Sequence, residues 1–340
     1  MRTALASLLL AASSITSMLI LIPSVITQSQ PLVLFGIFLL TLSLVVPIFF
    51  ADKLSRSLLV FIIVLSSLTI SLSYETLSSY LLGEDVHAEY YVIERTLHEG
   101  HLNIPTYVED LVQIPTYYYE IFSFIMSSAI ISHITGLSSL MVIKFIWNSL
   151  VVGLLPFMIF LYALYLTGRK PSALVASILI LVQSTYIVTL HSTAKQTSST
   201  FMLTVVLLFL AKYIKENPTR FAGLVVTLTV LATIGYHYFT SGVFIVTMFL
   251  ALILFALVFK LNRFLSMSSS SNSSFSKIFP IVVISTMSWL LWYAILQGSI
   301  IRPIVDVVKR LFYLQSLGYS YEYVFIPLPA YLNYARLMLN

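Results

Sequence analysis

The sequence predicts an all-α fold, a polytopic bundle of about nine transmembrane helices with a layer of loop and in-plane helix on one face. Three observations predict it. Of the 340 residues 59% are apolar and only 9% charged, with mean hydropathy +0.98, whereas a soluble domain carries about 25% charged residues. Apolar stretches recur that are long enough to cross a core of ~30 Å at ~1.5 Å per residue. Lysine and arginine segregate into alternate short loops. The same composition excludes a disordered chain, and the absence of cysteine excludes a disulfide-stapled scaffold. The net charge of +5 is spread over scattered single residues, which excludes a nucleic-acid footprint.

The spans fall at about 4–26, 31–50, 57–73, 138–166, 173–190, 197–213, 221–239, 243–259 and 278–298. The first follows a lone Arg2, but it is too long for a signal peptide and no small-residue cleavage site follows. The chain thus divides into three helices over 1–73, a long loop over 74–137, six helices over 138–298 and a tail over 299–340. Arg2, Lys53, Arg56, Arg169, Lys170, Lys212, Lys215, Arg220, Lys260, Arg263 and Lys277 then share one side, 11 of the 18 basic residues. That side is the cytoplasm by the positive-inside rule, and 11 of the 13 acids lie opposite. The expectation is a multi-pass cell-membrane protein whose working face is outside.

Residues 121–137 are apolar, but a crossing there would put Arg169 and Lys170 outside and invert every later loop. With His133 and four serines, the segment reads as an in-plane or re-entrant helix packed on protein. Residues 266–276 form a flexible serine-rich loop. Residues 300–313 read as an amphipathic interfacial helix, with Arg302, Asp306, Lys309 and Arg310 opposite an apolar face.

The chemistry concentrates in the long loop, where eight of the 13 acids lie between Glu84 and Glu120. Avoidance of lipid explains their presence there, but not their order. If 84–89 is extended, Asp85, His87 and Glu89 share a face; if it is helical, Asp85 and Glu89 do, at i and i+4. Paired acids at a membrane surface supply a general base, hold a hard divalent ion such as Mg or Mn through oxygen, or are simply solvated. The topology adds two short loops, one with His191 and Lys195 and the other with Gly235, His237 and Ser241. Four of the six histidines (His87, His133, His191 and His237) thus stand with Lys195 at outer helix ends. Each histidine taken singly also fits an interfacial ring with a wet tip. Together they suit a substrate with a leaving phosphate.

At this constellation the chain resembles polytopic glycosyltransferases of the GT-C superfamily. The stretch Gly83-Glu84-Asp85-Val86-His87-Ala88-Glu89-Tyr90-Tyr91 is similar to the first outer loop of an archaeal and bacterial branch with a G-x-D-[IV]-H-x-E-Y-Y motif. Ala194-Lys195-Gln196 stands where that branch has an Arg-Gln pair, and Gly235 to Ser241 where it has a Ser-His-Tyr type sequence. The resemblance covers about residues 75–260. It implies a GT-C-like bundle that moves a sugar from a polyprenyl-phosphate carrier to an acceptor on the outer face. Asp85 would be the catalytic carboxylate, a general base that activates the acceptor hydroxyl or a ligand that organises a divalent cation, with Glu89 second in either role. His87, His191, Lys195 and His237, helped by Arg302, would bind the lipid phosphate. Tyr90, Tyr91 and Tyr117–Tyr119 suit stacking on sugar faces, although interfacial tyrosines are ordinarily belt residues.

Two alternatives remain: a transporter or lipid flippase, and a non-catalytic partner subunit of a surface-glycan assembly system. Ion-coupled transport needs ionisable groups deep in the bilayer. The sequence offers only Lys144 inside a span, near enough to the outer end to snorkel.

Overall fold

The computed structural model describes residues 2–82, 85–102, 121–183, 186, 193–216, 220–264 and 272–296. These residues are helical, without a strand among them. The expected amphipathic helix at 300–313, with Arg302, lies outside the described residues, as do His191 and Tyr117–Tyr119.

The helices are α1 (Arg2–Ile26), α2 (Gln30–Phe50), α3 (Arg56–Glu75), α4 (Asp85–Glu99), α5 (Phe122–Thr135) and α6 (Ser139–Thr167), which is π-helical over Val142–Val151. There follow α7 (Lys170–Leu181), α8 (Ala194–Lys215), α9 (Arg220–Ile234), α10 (Tyr238–Phe264) and α11 (Asn272–Trp289). Five are long and apolar enough to cross a membrane, namely α1 from Leu5, α2, α3, α6 and α8. Local chemistry sets their ends. Ser55 caps α3 by accepting from the Leu58 amide at 3.2 Å. Gly136 and Gly168 close α5 and α6 at φ 70° and 69°, a left-handed turn that glycine adopts without a Cβ clash.

The chain divides into two compact units, Met1–Ser288 and Trp289–Asn340. In the second, the described residues run to Leu296, and the rings of Trp289 and Tyr293 lie 6.2 Å apart. The first unit has two cores. One fills the bundle of α1, α2, α3, α6 and α7, with Leu44, Leu59, Ile62, Ile63, Val152, Phe160 and Leu174 fully or almost fully buried. Serines inside these helices are accommodated because their hydroxyls donate to the preceding turn, as Ser14 does to Leu10 and Ser43 to Leu40. Large apolar side chains such as Leu8, Leu19, Leu34 and Phe49 cover the outside of α1 and α2, the surface a bilayer would solvate.

The second core lies where α4 and α5 cap one end of the bundle. Val86, Val92 and Ile93 of α4 pack with Phe124 and Ile125 of α5, Val142, Ile143 and Trp147 of α6, and Ala194 at the start of α8. At 14 residues α5 spans about 21 Å, too short to cross a membrane alone. It buries Phe124, Ile125, Ser128 and Ala129 against protein.

The fifth span was expected over 173–190; the described helix there is α7, Lys170–Leu181, and residues 184–185 and 187–190 lie outside the described residues. One expectation is modified. Lys144 does not snorkel: it is 5% exposed, and its ammonium donates to the backbone carbonyls of Ser78 and Tyr80.

Candidate functional site

The backbone of 85–99 is helical, so Asp85 and Glu89 stand at i and i+4 on α4. The side chain of Asp85 lies outside the described residues. Val86, Glu89, Val92, Ile93 and Thr96 form the buried stripe of this helix, while His87, Tyr91, Glu94 and His98 are exposed. A carboxylate in the middle of an apolar stripe needs a partner on the surface it packs against. That partner is Lys195.

Lys195 Nζ lies 3.5 Å from Glu89 Oε1, and both side chains are buried, at 4% and 0% exposure. The Lys195 amide also donates to Glu89 Oε2 at 3.3 Å. Lys195 is the second residue of α8, whose own cap position, Thr193, makes no capping bond. Thr193 is turned instead to the Gln196 side chain, with Oγ1 3.1 Å from Oε1. Glu89 therefore supplies the cap from another element. A negative charge at the amino end of a 22-residue helix is further stabilised by the aligned peptide dipoles. Removing one member of such a pair leaves a buried charge uncompensated, at a cost of about 3–5 kcal/mol.

The third segment, 235–241, joins at the start of α5. Ser123 N donates to Gly235 O at 3.0 Å. A Cβ on Gly235 would lie 2.1 Å from Ser123 Oγ and 3.3 Å from its backbone nitrogen, so glycine is what permits the approach. Tyr236 meets Trp147 edge-on at 6.0 Å, Trp147 packs on Phe124 at 5.6 Å, and Trp147 Nε1 donates to Ser128 Oγ at 2.8 Å. His237, 4% exposed, precedes the first residue of α10. Its Nδ1 accepts from the Thr240 amide at 3.4 Å and lies 2.9 Å from Thr240 Oγ1. An Nδ1 that accepts from an amide carries no proton, so the ring's N–H donor is at Nε2.

The structure thus brings together all three segments that carried the resemblance, through Glu89, Lys195 and the 235–237 turn. His87 is on the same helix but points to the exposed side, and His133, also exposed, lies in the last turn of α5. Tyr90 is half-buried; burial and the neighbouring Glu94 charge push its phenol above the usual tyrosine range. A metal shared by Asp85 and Glu89 falls partly outside the described residues; the oxygens of Glu89 face the Lys195 ammonium and amide. No group of three or more histidine or acidic side chains gathers as a metal site among the described residues.

Two residues escaped the sequence reading. Glu75, the last residue of α3, is 1% exposed, and neither of its carboxylate oxygens has a hydrogen-bond partner among the described residues. Asn148 is fully buried in the π-helical part of α6. Ser67, Ser71 and Glu75 recur every fourth residue on α3, a polar line at helical spacing that pointed to a protein-facing stripe.

No protein-family model, curated protein or solved structure matches this chain.

Proposed function

We propose that the chain is a multi-pass membrane glycosyltransferase of GT-C type, which takes a sugar from a polyprenyl-phosphate carrier and transfers it to an acceptor outside the cell. The observation that carries this reading is the buried Glu89–Lys195 pair, which joins two of the resemblance's motifs from segments over a hundred residues apart. The reading takes all nine apolar segments as spans. It is supported by the gathering of basic residues at the opposite end of the bundle. There Lys170 donates to the Asp52 and Leu54 carbonyls, and Lys215 lies over the Tyr165 ring. By the positive-inside rule that end is cytoplasmic.

In this mechanism Asp85 takes the proton from an acceptor hydroxyl as its oxygen attacks the anomeric carbon. The bond from that carbon to the phosphate oxygen breaks, and the carrier leaves as a polyprenyl-phosphate anion. Glu89, fully buried against Lys195, is reserved for orienting that lysine. Lys195 and the Nε2–H of His237 meet the developing phosphate charge, with His191 and Arg302 as the further cationic candidates from the sequence and His87 at the entrance. No step is routed through a metal.

The test is transfer in membranes from polyprenyl-phosphate-linked sugars, comparing wild type with Asp85→Asn. A fall of about a hundredfold or more with donor binding retained supports Asp85 as the base. Undiminished transfer removes that role. Absence of transfer by wild type over a broad donor set overturns the class.

A second reading, transport or lipid movement, is favoured by one observation, the burial of Lys144 and Glu75 within helices long enough to cross a membrane. Donor-independent movement of lipid in vesicles holding the purified chain would select it.

A further inference from the structure

We propose that Lys144 is a tether that fixes the connection between α3 and α4 and so determines where Asp85 stands. The assignment of Asp85 rests on the function proposed above; the tether itself rests on geometry.

A charge buried in a crossing helix persists only where something compensates it. Lys144 has three N–H donors. Two reach the carbonyls of Ser78 and Tyr80, at 2.5 and 3.3 Å, and Glu75, also buried, ends the neighbouring α3. Both carbonyls belong to the non-helical stretch 76–82, which has little internal support. Apart from the contacts with Lys144, its described hydrogen bonds are the Thr76 and Leu77 amides and the Thr76 hydroxyl closing on α3, and the Tyr80 amide to Ser78 Oγ. Leu81 is buried in the capping core, and Asp85 opens α4 five residues after Tyr80. The Lys144 ammonium is therefore the longest-range polar contact that this stretch makes with the bundle.

The surrounding helix is built for this. Lys144 lies in the π-helical turns of α6, a conformation associated with functional sites. Its own carbonyl accepts from Ser149 Oγ at 2.8 Å, five residues on. Asn148, one turn further, is fully buried. Lys170 makes the same kind of contact at the other end of the bundle, donating to Asp52 and Leu54 carbonyls, but half-exposed. The connection that leads to Asp85 is instead held by a lysine that is almost wholly buried.

The chain has no cysteine, so single nitroxide labels are easily placed. His87→Cys reports on the exposed side of α4, and Ser172→Cys, at the start of α7, reports on the far end. The tether predicts that Lys144→Met adds a mobile component to the spectrum at 87 and leaves 172 unchanged, while Lys144→Arg keeps 87 immobile. Glu75→Gln, which spares the lysine, shifts 87 in the same direction and serves if Lys144→Met does not fold. An unchanged spectrum at 87, or equal loosening at both sites, overturns the tether. On the unlabelled chain, misplacing Asp85 by about 1 Å lowers transfer about a hundredfold, and Lys144→Arg restores it. If transfer falls while 87 stays immobile, the tether is wrong and the transferase reading stands. If 87 loosens but wild type transfers nothing, the tether stands and the transferase reading falls.

Discussion

The two ends of the bundle use the same residue types in opposite ways. At the basic end Lys170 rests on backbone carbonyls, Lys215 lies over the Tyr165 ring and Glu216 meets the Tyr165 hydroxyl at 3.4 Å, with charged groups reaching solvent. At the motif end Lys144 and Lys195 are almost wholly enclosed, Lys195 against the enclosed carboxylate of Glu89 and Lys144 on the Ser78 and Tyr80 carbonyls, with Glu75 also buried at the end of α3. A solvated charge costs little and reports only which way the chain faces. An enclosed one is expensive unless compensated, so its presence marks a place where position matters more than stability. The contrast sets the motif end apart by its enclosed charges, without reference to any motif.

The largest expected effect is at the enclosed pair. Glu89→Ala should destabilise the protein by about 3–5 kcal/mol, read as a shift in unfolding by detergent titration followed by helical circular dichroism. At the other end Lys170→Met should stay within about 0.5 kcal/mol by the same assay. Equal losses would erase the distinction between the two ends. Next comes the turn that docks on α5. Gly235→Ala forces a Cβ against Ser123 and should cost about 1–3 kcal/mol. Gly136→Ala meets open space but keeps a φ of 70°, and should cost about 1 kcal/mol. The order of their melting temperatures sharpens how tightly the third segment is held. Smallest is Trp147→Phe, which removes the bond to Ser128 Oγ at a cost of about 1 kcal/mol beyond the loss of packing area. Its near-ultraviolet circular dichroism would show whether the Phe124–Trp147–Tyr236 stack persists.

Much of this contrast was legible in the sequence. Long apolar runs foretold helices, and the described residues hold five long and apolar enough to cross a membrane. The sequence reading placed the segments of Glu89, Lys195 and Gly235–Ser241 on one face, and in the structure Ala194 and Tyr236 pack in the same core as α4. The pairing of Glu89 with Lys195 was not read, although the stripe Val86, Glu89, Val92, Ile93 and Thr96 encodes a carboxylate on the packed face of α4. Lys144 was read as reaching water because its nearness to a helix end permits snorkelling. What encloses it is the connection 76–82, an irregular segment whose path no periodicity encodes. Glu75 was overlooked for a related reason: a charge just past an apolar run resembles a helix end in water, and only its burial in the structure shows otherwise.

The most direct test of the central claim, that the motif end is organised by an enclosed ion pair, is a double-mutant cycle. Glu89→Gln, Lys195→Met and the double variant would be compared with wild type for stability in the same detergent. The account predicts a coupling energy of about 2–3 kcal/mol, with the double variant more stable than at least one of the singles. A coupling below about 0.5 kcal/mol, the range of exposed surface pairs, would contradict it.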